Sequence, residues 1–154
     1  MNDSQVLVDT IPLTRWEEAV ALVTSASLPV ADLRPGKQNF LGAYHGGILL
    51  GTIAWEPYGN VALVRSLAVR EFRRGAGIGT ALYQALEEEA VSRGLSQLVL
   101  LTETAEAFFL KLGYAKVNRE ELAEAVKASA EFQGLCPVSA SAMTKRLQPN
   151  LPAK

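Results

Sequence analysis

Apolar residues recur along this chain with two different spacings, which divide it into predicted strands and helices. Runs that are apolar at alternate or consecutive positions predict strands, whereas apolar residues three and four positions apart predict helices with one buried face. Glycine, proline and asparagine separate these segments, as is typical of turns and loops. The pattern predicts seven strands, within residues 1–12, 40–44, 48–55, 61–69, 97–101, 114–117 and 139–147.

Four helices are predicted between the strands. Thr14, with Glu17 three residues later, forms a capping-box pattern that begins the first helix. The other three helices are expected to end at Gly94, Gly113 and Gly134, because glycine is common just past a helix end. The helical residues expected to face the interior are Trp16, Val20, Val23, Ile78, Leu82, Ala85, Leu86, Leu122, Val126 and Ala130.

The connections between strands indicate the fold class. Tight turns at residues 45–47 and 56–60 join three successive strands, which predicts an antiparallel meander. The later strands alternate with helices, so the fold class is α/β (α+β), with a mixed, mostly antiparallel sheet flanked by helices. We expect a single domain over residues 1–147 and a flexible tail at 148–154. Where the antiparallel and parallel parts meet, we expect a splay between the central strands, which would provide a binding cleft.

Composition excludes several functions. The 154 residues include 15 Lys and Arg against 16 Asp and Glu, and this net charge of −1 does not favour nucleic-acid binding. The single Cys136 and single His45 argue against an internal disulfide and a structural zinc site. We interpret Cys136 as a buried structural thiol and His45 as a solvated turn residue. The polar N-terminal residues and short apolar runs predict a cytoplasmic protein without a membrane anchor.

The glycine-rich loop at residues 70–79 carries the clearest chemical signal. It joins a predicted strand to a predicted helix and contains Gly75, Gly77 and Gly79 beside Arg73 and Arg74. Unpaired N–H groups at a helix start bind phosphate oxygens, and glycine lets the backbone approach a ligand closely. The alternative is that the glycines only form a tight turn. The loop matches neither the dinucleotide fingerprint nor the lysine-containing phosphate loop.

The spacing Arg-x-x-Gly-x-Gly, formed by Arg74, Gly77 and Gly79 directly after a Leu-Ala-Val strand, resembles the pyrophosphate loop of the GCN5-related N-acetyltransferases (GNAT). The later aromatic segment at residues 108–114 follows in the order typical of that family, so the resemblance covers most of the chain. It implies the GNAT fold, acetyl-CoA as co-substrate without a metal, and a homodimer. The residues implied to bind acetyl-CoA are Leu67, Ala68, Val69, Arg74, Gly75, Ala76, Gly77, Ile78, Gly79 and Thr80.

The transfer chemistry needs few side chains, because a thioester is already activated and an amine can attack it directly. The resemblance implies that an N–H near Val69 stabilises the oxyanion. Many relatives use a tyrosine as general acid where this chain has Phe109, which leaves Tyr114 or water as the acid. Glu103, after the central strand, is the leading candidate for the base. Its alternative role is to complement the dipole of the next helix.

Glu56 is the second candidate for the base, and its alternative is an exposed carboxylate in a turn. Arg65 interrupts an apolar strand, where it could hold a substrate carboxylate or cover the sheet with its head in water. With Ser66, Thr102 and Glu103, Arg65 is a candidate substrate contact.

Segments such as residues 26–33, 102–106, 119–122 and 132–140 are similar to the N-acetyltransferases of arsenic-resistance operons. This second resemblance implies a small amino-acid-like acceptor, of which an arsenical and a glutamate-like compound are the candidates. Two other functions stay open. One is acetylation of a protein or peptide, and the other is a non-catalytic acetyl-CoA sensor.

Overall fold

The computed structural model describes residues 6–148, and all seven predicted strands are found there. The strands form one sheet in the order β1-β2-β3-β4-β5-β7-β6, with β4 and β5 pairing in parallel. Helices flank this mixed, mostly antiparallel sheet, so the predicted fold class is confirmed. The strands are β1 (Leu7–Thr10), β2 (Asn39–His45), β3 (Ile48–Tyr58), β4 (Val61–Val69), β5 (Gln97–Thr102), β6 (Ala115–Lys116) and β7 (Ser141–Arg146).

Four α-helices and several single helical turns connect the strands. The helices are α1 (Trp16–Ser25), α2 (Ile78–Ser92), α3 (Glu106–Lys111) and α4 (Glu124–Lys127). Single turns occupy Leu13–Arg15, Glu71–Arg73, Arg119–Glu121 and Glu131–Leu135. No helix within residues 6–148 combines the length and the apolar character needed to cross a membrane.

The chain divides into two compact units. The first, here the N-terminal unit, comprises the chain up to Trp55 together with Arg65–Glu89. The second, here the C-terminal unit, comprises Glu56–Val64 and the chain from Ala90 onward. Strands β3 and β4 therefore each contribute residues to both units. A single domain over residues 1–147 stays a prediction, and most of the predicted tail lies outside the described residues.

The N-terminal unit has its core where α1 and its flanking loops pack on the sheet. One cluster contains Ala19, Leu22, Leu49 and Ala68, and a second contains Val23, Phe40 and Ala54. The rings of Trp16 and Phe40 meet edge to face, with centroids 5.3 Å apart. Burial of each large apolar side chain contributes about 1.5–3 kcal/mol, so these clusters fix α1 on the sheet.

The predicted start of the first helix is wrong. Thr14 lies inside the turn Leu13–Arg15, which Arg15 N closes by donating to Pro12 O at 2.9 Å. Helix α1 therefore begins at Trp16, and no side chain caps it. Its buried residues are Ala19, Leu22 and Val23, whereas the predicted Val20 is only half-buried.

The C-terminal unit has its core between β5 and the segment that follows β6. Residues Val99, Leu122, Val126 and Ala142 form it together with Val61. Three consecutive residues of β5, Leu98 to Leu100, are buried, as is usual for a strand that is covered on both faces. Leu122 and Val126 face inward as predicted, although Ala130 is only half-buried.

The long helix predicted from Asn118 to Gly134 is wrong. Leu122 and Ala123 have extended backbone angles, so the first turn and α4 are separate. Beyond α4, Gly134 has φ +130° inside the last turn. Arg119 then holds the following segment, since its guanidinium donates to the carbonyl of Ala140 at 2.8 Å and lies 5.7 Å from the Phe132 ring centroid.

The corrected position of α1 gives a test of the core. Leu22→Ala should destabilise the protein by about 2–5 kcal/mol, because a buried leucine leaves a cavity. Val20→Ala, on the half-buried neighbouring position, is the matched control and should cost less. Urea unfolding followed by circular dichroism measures both variants. Equal losses of unfolding free energy would contradict the placement of Leu22 in the core.

Candidate functional site

Strand β4 has an irregular backbone near its end. Ser66 is a buried serine with φ +59°, a left-handed conformation that costs a non-glycine residue about 1–2 kcal/mol. The hydroxyl of Thr52 on β3 donates to the Ser66 carbonyl at 2.8 Å. Arg70 N then donates to Leu50 O, also at 2.8 Å. These two contacts from β3 bracket the segment Leu67–Val69, in which Ala68 is buried and its two neighbours are half-buried.

Gly51 allows β3 to approach both β4 and α2. A Cβ on Gly51 would lie 2.9 Å from the Ala68 carbonyl oxygen and 3.0 Å from Leu82 Cδ1. Because real Cβ atoms rarely come so close to other atoms, even alanine would push these elements apart. No sequence pattern marks Gly51 or Thr52, and only their contacts with β4 reveal a role for them.

The predicted loop and helix start are present in the N-terminal unit. Gly75 and Gly77 have φ +85° and +82°, which favours glycine at both positions, whereas Gly79 lies in the first turn of α2. Ala81 N donates to Gly77 O at 3.0 Å, which is the first hydrogen bond of the helix. The N–H groups of Ile78, Gly79 and Thr80 therefore have no acceptor within α2. Such a helix start favours an anionic ligand.

The loop arginines differ in what they contact. Arg70 Nε donates to Leu49 O at 2.7 Å, and its guanidinium lies 3.7 Å from a Glu18 carboxylate oxygen. Arg74 Nε donates to Val69 O at 3.1 Å, which ties the loop to the end of β4. Arg73 forms no side-chain hydrogen bond or ion pair with any residue between 6 and 148. The positive charge available to an anion is therefore on Arg73 and Arg74.

Arg65 has an internal carboxylate partner, Asp32. The Arg65 side chain is 0% exposed, and its two terminal nitrogens donate to the two Asp32 oxygens at 2.6 and 2.8 Å. Arg65 also donates to Pro29 O at 3.3 Å, so the loop at residues 27–37 is held on β4. The alternative interpretation, an Arg65 guanidinium in water, is wrong. Direct contact between Arg65 and a substrate stays a prediction.

Arg65 also controls the ionisation of Asp32. Burial alone would raise the pKa of Asp32, but the hydrogen bonds and positive charge of Arg65 outweigh it and lower that pKa below 3.8. A carboxyl with a lowered folded-state pKa stabilises the fold above its unfolded-state pKa. That stability is lost as the pH falls through the folded-state pKa.

The catalytic candidates Glu103 and Tyr114 lie in the C-terminal unit, as does Thr102. Glu103 is exposed directly after β5, and the Thr102 hydroxyl accepts a hydrogen bond from Ala105 N at 3.0 Å. Tyr114 is buried, with its ring edge to face on Phe109 at 5.3 Å between centroids. Tyr114 thus packs as a core residue, and its role as acid stays a prediction.

Glu56 is not the exposed turn residue that was expected as the alternative. Strand β3 continues to Tyr58, so the turn is shorter than predicted and Glu56 is 2% exposed within the strand. The Tyr58 hydroxyl donates to Glu56 Oε1 at 2.5 Å. The buried carboxylate is therefore hydrogen-bonded, and its role as a base stays a prediction. Cys136, expected to be buried, is half-buried.

The glycine-rich loop after β4 and the start of α2 define a class of protein that can bind a phosphorylated co-substrate. The model of the Acetyltransferase (GNAT) family matches residues 10–114, so the chain belongs to this family. The match includes β4, the glycine-rich loop and α2, and it ends at Tyr114.

Individual relatives agree with the family assignment. An amino-acid acetyltransferase of Ralstonia nicotianae (strain ATCC BAA-1114 / GMI1000) is 34% identical over 88 residues, which are 56% of this chain and 20% of that protein. The N-acetylglutamate synthase of Neisseria gonorrhoeae, solved with coenzyme A and N-acetyl-glutamate, has a TM-score of 0.80 at 18% identity. The matched region is 96% of this chain and 36% of the synthase chain. This chain thus corresponds to a minor part of both proteins.

A shorter solved structure matches along nearly its whole length. The PaiA N-acetyltransferase of Thermoplasma acidophilum, solved with coenzyme A, has a TM-score of 0.70 at 14% identity. The match covers 92% of this chain and 99% of that chain. At these identities the two solved structures establish a shared fold.

The Asp32 pair predicts how stability depends on pH. At neutral pH, Asp32→Asn should cost about 3–5 kcal/mol, because Arg65 would stay buried without its counter-charge. The wild type should begin to lose this advantage as the pH falls below about 4, where Asp32 of the unfolded protein takes up a proton, and should lose it fully only as the pH falls through the lower folded-state pKa. Urea unfolding between pH 7 and pH 3 measures both proteins.

A matched control uses an exposed ion pair. Glu124 pairs with Lys127 at 2.8 Å, but the Glu124 side chain is 91% exposed. Glu124→Gln should therefore change stability by less than about 1 kcal/mol. If Asp32→Asn were equally mild, the buried pair would not stabilise the fold as described.

Proposed function

We propose that the chain is an N-acetyltransferase that transfers the acetyl group of acetyl-CoA to the amine of a small amino-acid-like acceptor. The observation that carries this proposal is the start of α2. There, free N–H groups, two positive-φ glycines and the cations Arg73 and Arg74 occur together at the end of β4. This arrangement suits a pyrophosphate group. Family membership supports acetyl-CoA as the molecule that contains it.

The proposed binding of acetyl-CoA uses mostly backbone groups. The segment Leu67–Val69 pairs with the amides of the pantetheine arm, as an added strand would. The N–H groups from Gly75 to Thr80 bind the pyrophosphate, whereas Arg74 N donates to Glu71 O at 3.2 Å, so Arg74 contributes only its side-chain charge. Two solved relatives contain coenzyme A, which supports the same co-substrate here. The homodimer implied by the resemblance stays a prediction.

The proposed reaction is direct acetyl transfer. The neutral amine forms a bond to the thioester carbonyl carbon, and an N–H near Val69 stabilises the resulting oxyanion. The C–S bond then breaks, and the sulfur leaves as the thiolate of coenzyme A. Glu103 is our proposed acceptor of the amine proton, with Glu56 or water as the alternative. The thiolate takes a proton from Tyr114 or from water.

The loop at residues 27–37 is fixed on β4 by Arg65. Arg65 holds this loop on β4 through Asp32 and Pro29, next to the segment proposed to bind the thioester. We therefore propose that Arg65 acts mainly by fixing the loop, and that Ser66 and Thr102 contact the acceptor. The relative named amino-acid acetyltransferase and the solved synthase with N-acetyl-glutamate support an amino-acid-like acceptor.

Acceptor screening tests the proposed reaction. The protein is incubated with acetyl-CoA and single acceptors, and release of free thiol is measured together with product mass. The acceptors are α-amino acids including glutamate, an arsenic-bearing glutamate analogue, and a lysine-containing peptide. We expect turnover on at least one free amino acid or on the arsenical.

Other outcomes of the screen separate the alternatives. Turnover on the peptide alone would indicate a protein or peptide acetyltransferase. Binding of acetyl-CoA without turnover on any acceptor would indicate a sensor. Absence of both binding and turnover would overturn the proposal.

Gly77→Asp tests the assigned pyrophosphate loop. Gly77 has φ +82°, so aspartate would be strained there, and its carboxylate would repel the pyrophosphate. Affinity for coenzyme A, measured by titration calorimetry, should fall at least about tenfold, equivalent to about 1.4 kcal/mol. Gly94→Asp is the matched control, because Gly94 has φ +79° and equally open surroundings beyond the end of α2. Equal affinities of the two variants would refute the loop assignment.

Glu103→Gln tests the assigned base. Loss of a general base should lower kcat by about 10²–10⁴-fold, while the affinity for acetyl-CoA stays unchanged. Glu121→Gln, another exposed glutamate of the C-terminal unit, serves as the control. A Glu103→Gln variant with wild-type kcat would exclude this residue as the base.

A further inference from the structure

Three hydrogen bonds join β3 to the end of β4 and to Arg70, which follows it. The Thr52 hydroxyl donates to Ser66 O at 2.8 Å, Arg70 N donates to Leu50 O at 2.8 Å, and Arg70 Nε donates to Leu49 O at 2.7 Å. The first contact lies before the segment Leu67–Val69 and the other two lie after it. All of these residues belong to the N-terminal unit. The conformation of the segment is therefore set from both of its ends.

The contact made by Thr52 is unusual because a side chain supplies the donor. Within a regular pair of strands, carbonyl groups accept from backbone N–H groups of the neighbouring strand. At Ser66 the backbone is left-handed, and a completely buried hydroxyl supplies the hydrogen bond. Valine has nearly the same shape as threonine, so only this hydrogen bond distinguishes threonine here. A buried carbonyl without a partner is unfavourable, which gives Thr52 a specific task.

The planarity of the peptide bond links this contact to Leu67. The Ser66 carbonyl and the Leu67 N–H belong to one trans peptide group, so they point in opposite directions. When Thr52 holds the carbonyl toward β3, it turns the Leu67 N–H away from β3. Leu67 is the first residue of the segment that we propose to bind acetyl-CoA.

We propose that Thr52 is a positioning residue for acetyl transfer, which acts by holding the Ser66 carbonyl and thereby orienting the amides of Leu67–Val69. This inference rests on the proposed function. Thr52 touches neither co-substrate nor acceptor in this role. Its hydroxyl fixes the donors that meet the pantetheine arm and the developing oxyanion, while the pyrophosphate loop is held separately.

The test compares Thr52→Val, which removes the hydroxyl, with Thr52→Ser, which retains it. In Thr52→Val, kcat should fall at least about tenfold, because small displacements of aligned groups slow a reaction strongly. Affinity for coenzyme A should change less than kcat, since the pyrophosphate contacts lie outside the displaced segment and are intact. Thr52→Ser should restore kcat to near the wild-type value.

Amide hydrogen exchange supplies a readout that does not depend on turnover. Exchange in the peptide containing residues 66–69 should accelerate in Thr52→Val and stay slow in Thr52→Ser. Thr24→Val is the matched control, since the hydroxyl of Thr24, an exposed residue of α1, also donates to a carbonyl, Val20 O, at 2.8 Å. It should leave both kcat and exchange at residues 66–69 unchanged. If Thr52→Val does not fold, Thr52→Ala replaces it as the variant without the hydroxyl and is compared with Thr52→Ser.

The outcomes separate this inference from the proposed function. If the wild type transfers acetyl groups and the variant without the hydroxyl matches it in kcat and exchange, the role of Thr52 is refuted. If Thr52→Ser is as impaired as Thr52→Val, side-chain shape rather than the hydroxyl matters, and the inference is also refuted. A wild type that neither binds nor transfers acetyl-CoA would instead refute the proposed function.

Discussion

The buried ion pair between Arg65 and Asp32 is the contact on which the organisation of the N-terminal unit depends. An unpaired guanidinium inside a protein is strongly unfavourable, so a chain that buries Arg65 must bring a carboxylate to it. Asp32 meets this requirement from a loop that is 33 residues away in sequence. The same contact therefore neutralises the buried charge of Arg65 and fixes the loop that precedes β2. Local sequence preferences alone would leave that loop, which contains Pro29, Pro35 and Gly36, without a defined position.

Strand β4 combines two kinds of structure in nine residues. Its first part, Val61–Val64, is a regular apolar strand in the core of the C-terminal unit, and pairs with β5 up to Leu63. Its second part begins at Arg65 and contains the left-handed Ser66. The regular part of β4 therefore passes directly into the part with irregular backbone. The regular part anchors the strand, while the irregular part leads into the segment that we propose to bind the thioester.

Sequence patterns predicted the elements with strong periodicity and missed features set by distant contacts. Apolar spacing predicts all seven strands and α2. The glycine spacing predicts the loop before α2, because that loop uses backbone angles that glycine adopts easily. The start of α1 was missed because the turn after Pro12 displaces the helix by two residues. Apolar spacing predicts one helix up to Gly134, because the extended angles of Leu122 leave no mark in that spacing. The partners of Arg65 and Ser66 depend on residues far apart in sequence, so periodicity could not reveal them.

Because Thr52 lies on β3, the glycine-rich segment cannot be moved to another protein by itself. The segment from Leu67 to Thr80 looks self-contained, since it holds the strand end, the loop and the helix start in a row. Its geometry nevertheless depends on β3, where Gly51 leaves room for the Ala68 carbonyl and Thr52 holds Ser66. A graft of residues 67–80 onto another scaffold would carry the residues without the conformation. The transplantable unit is the pair of strands, and any engineered transfer of this site would have to include both.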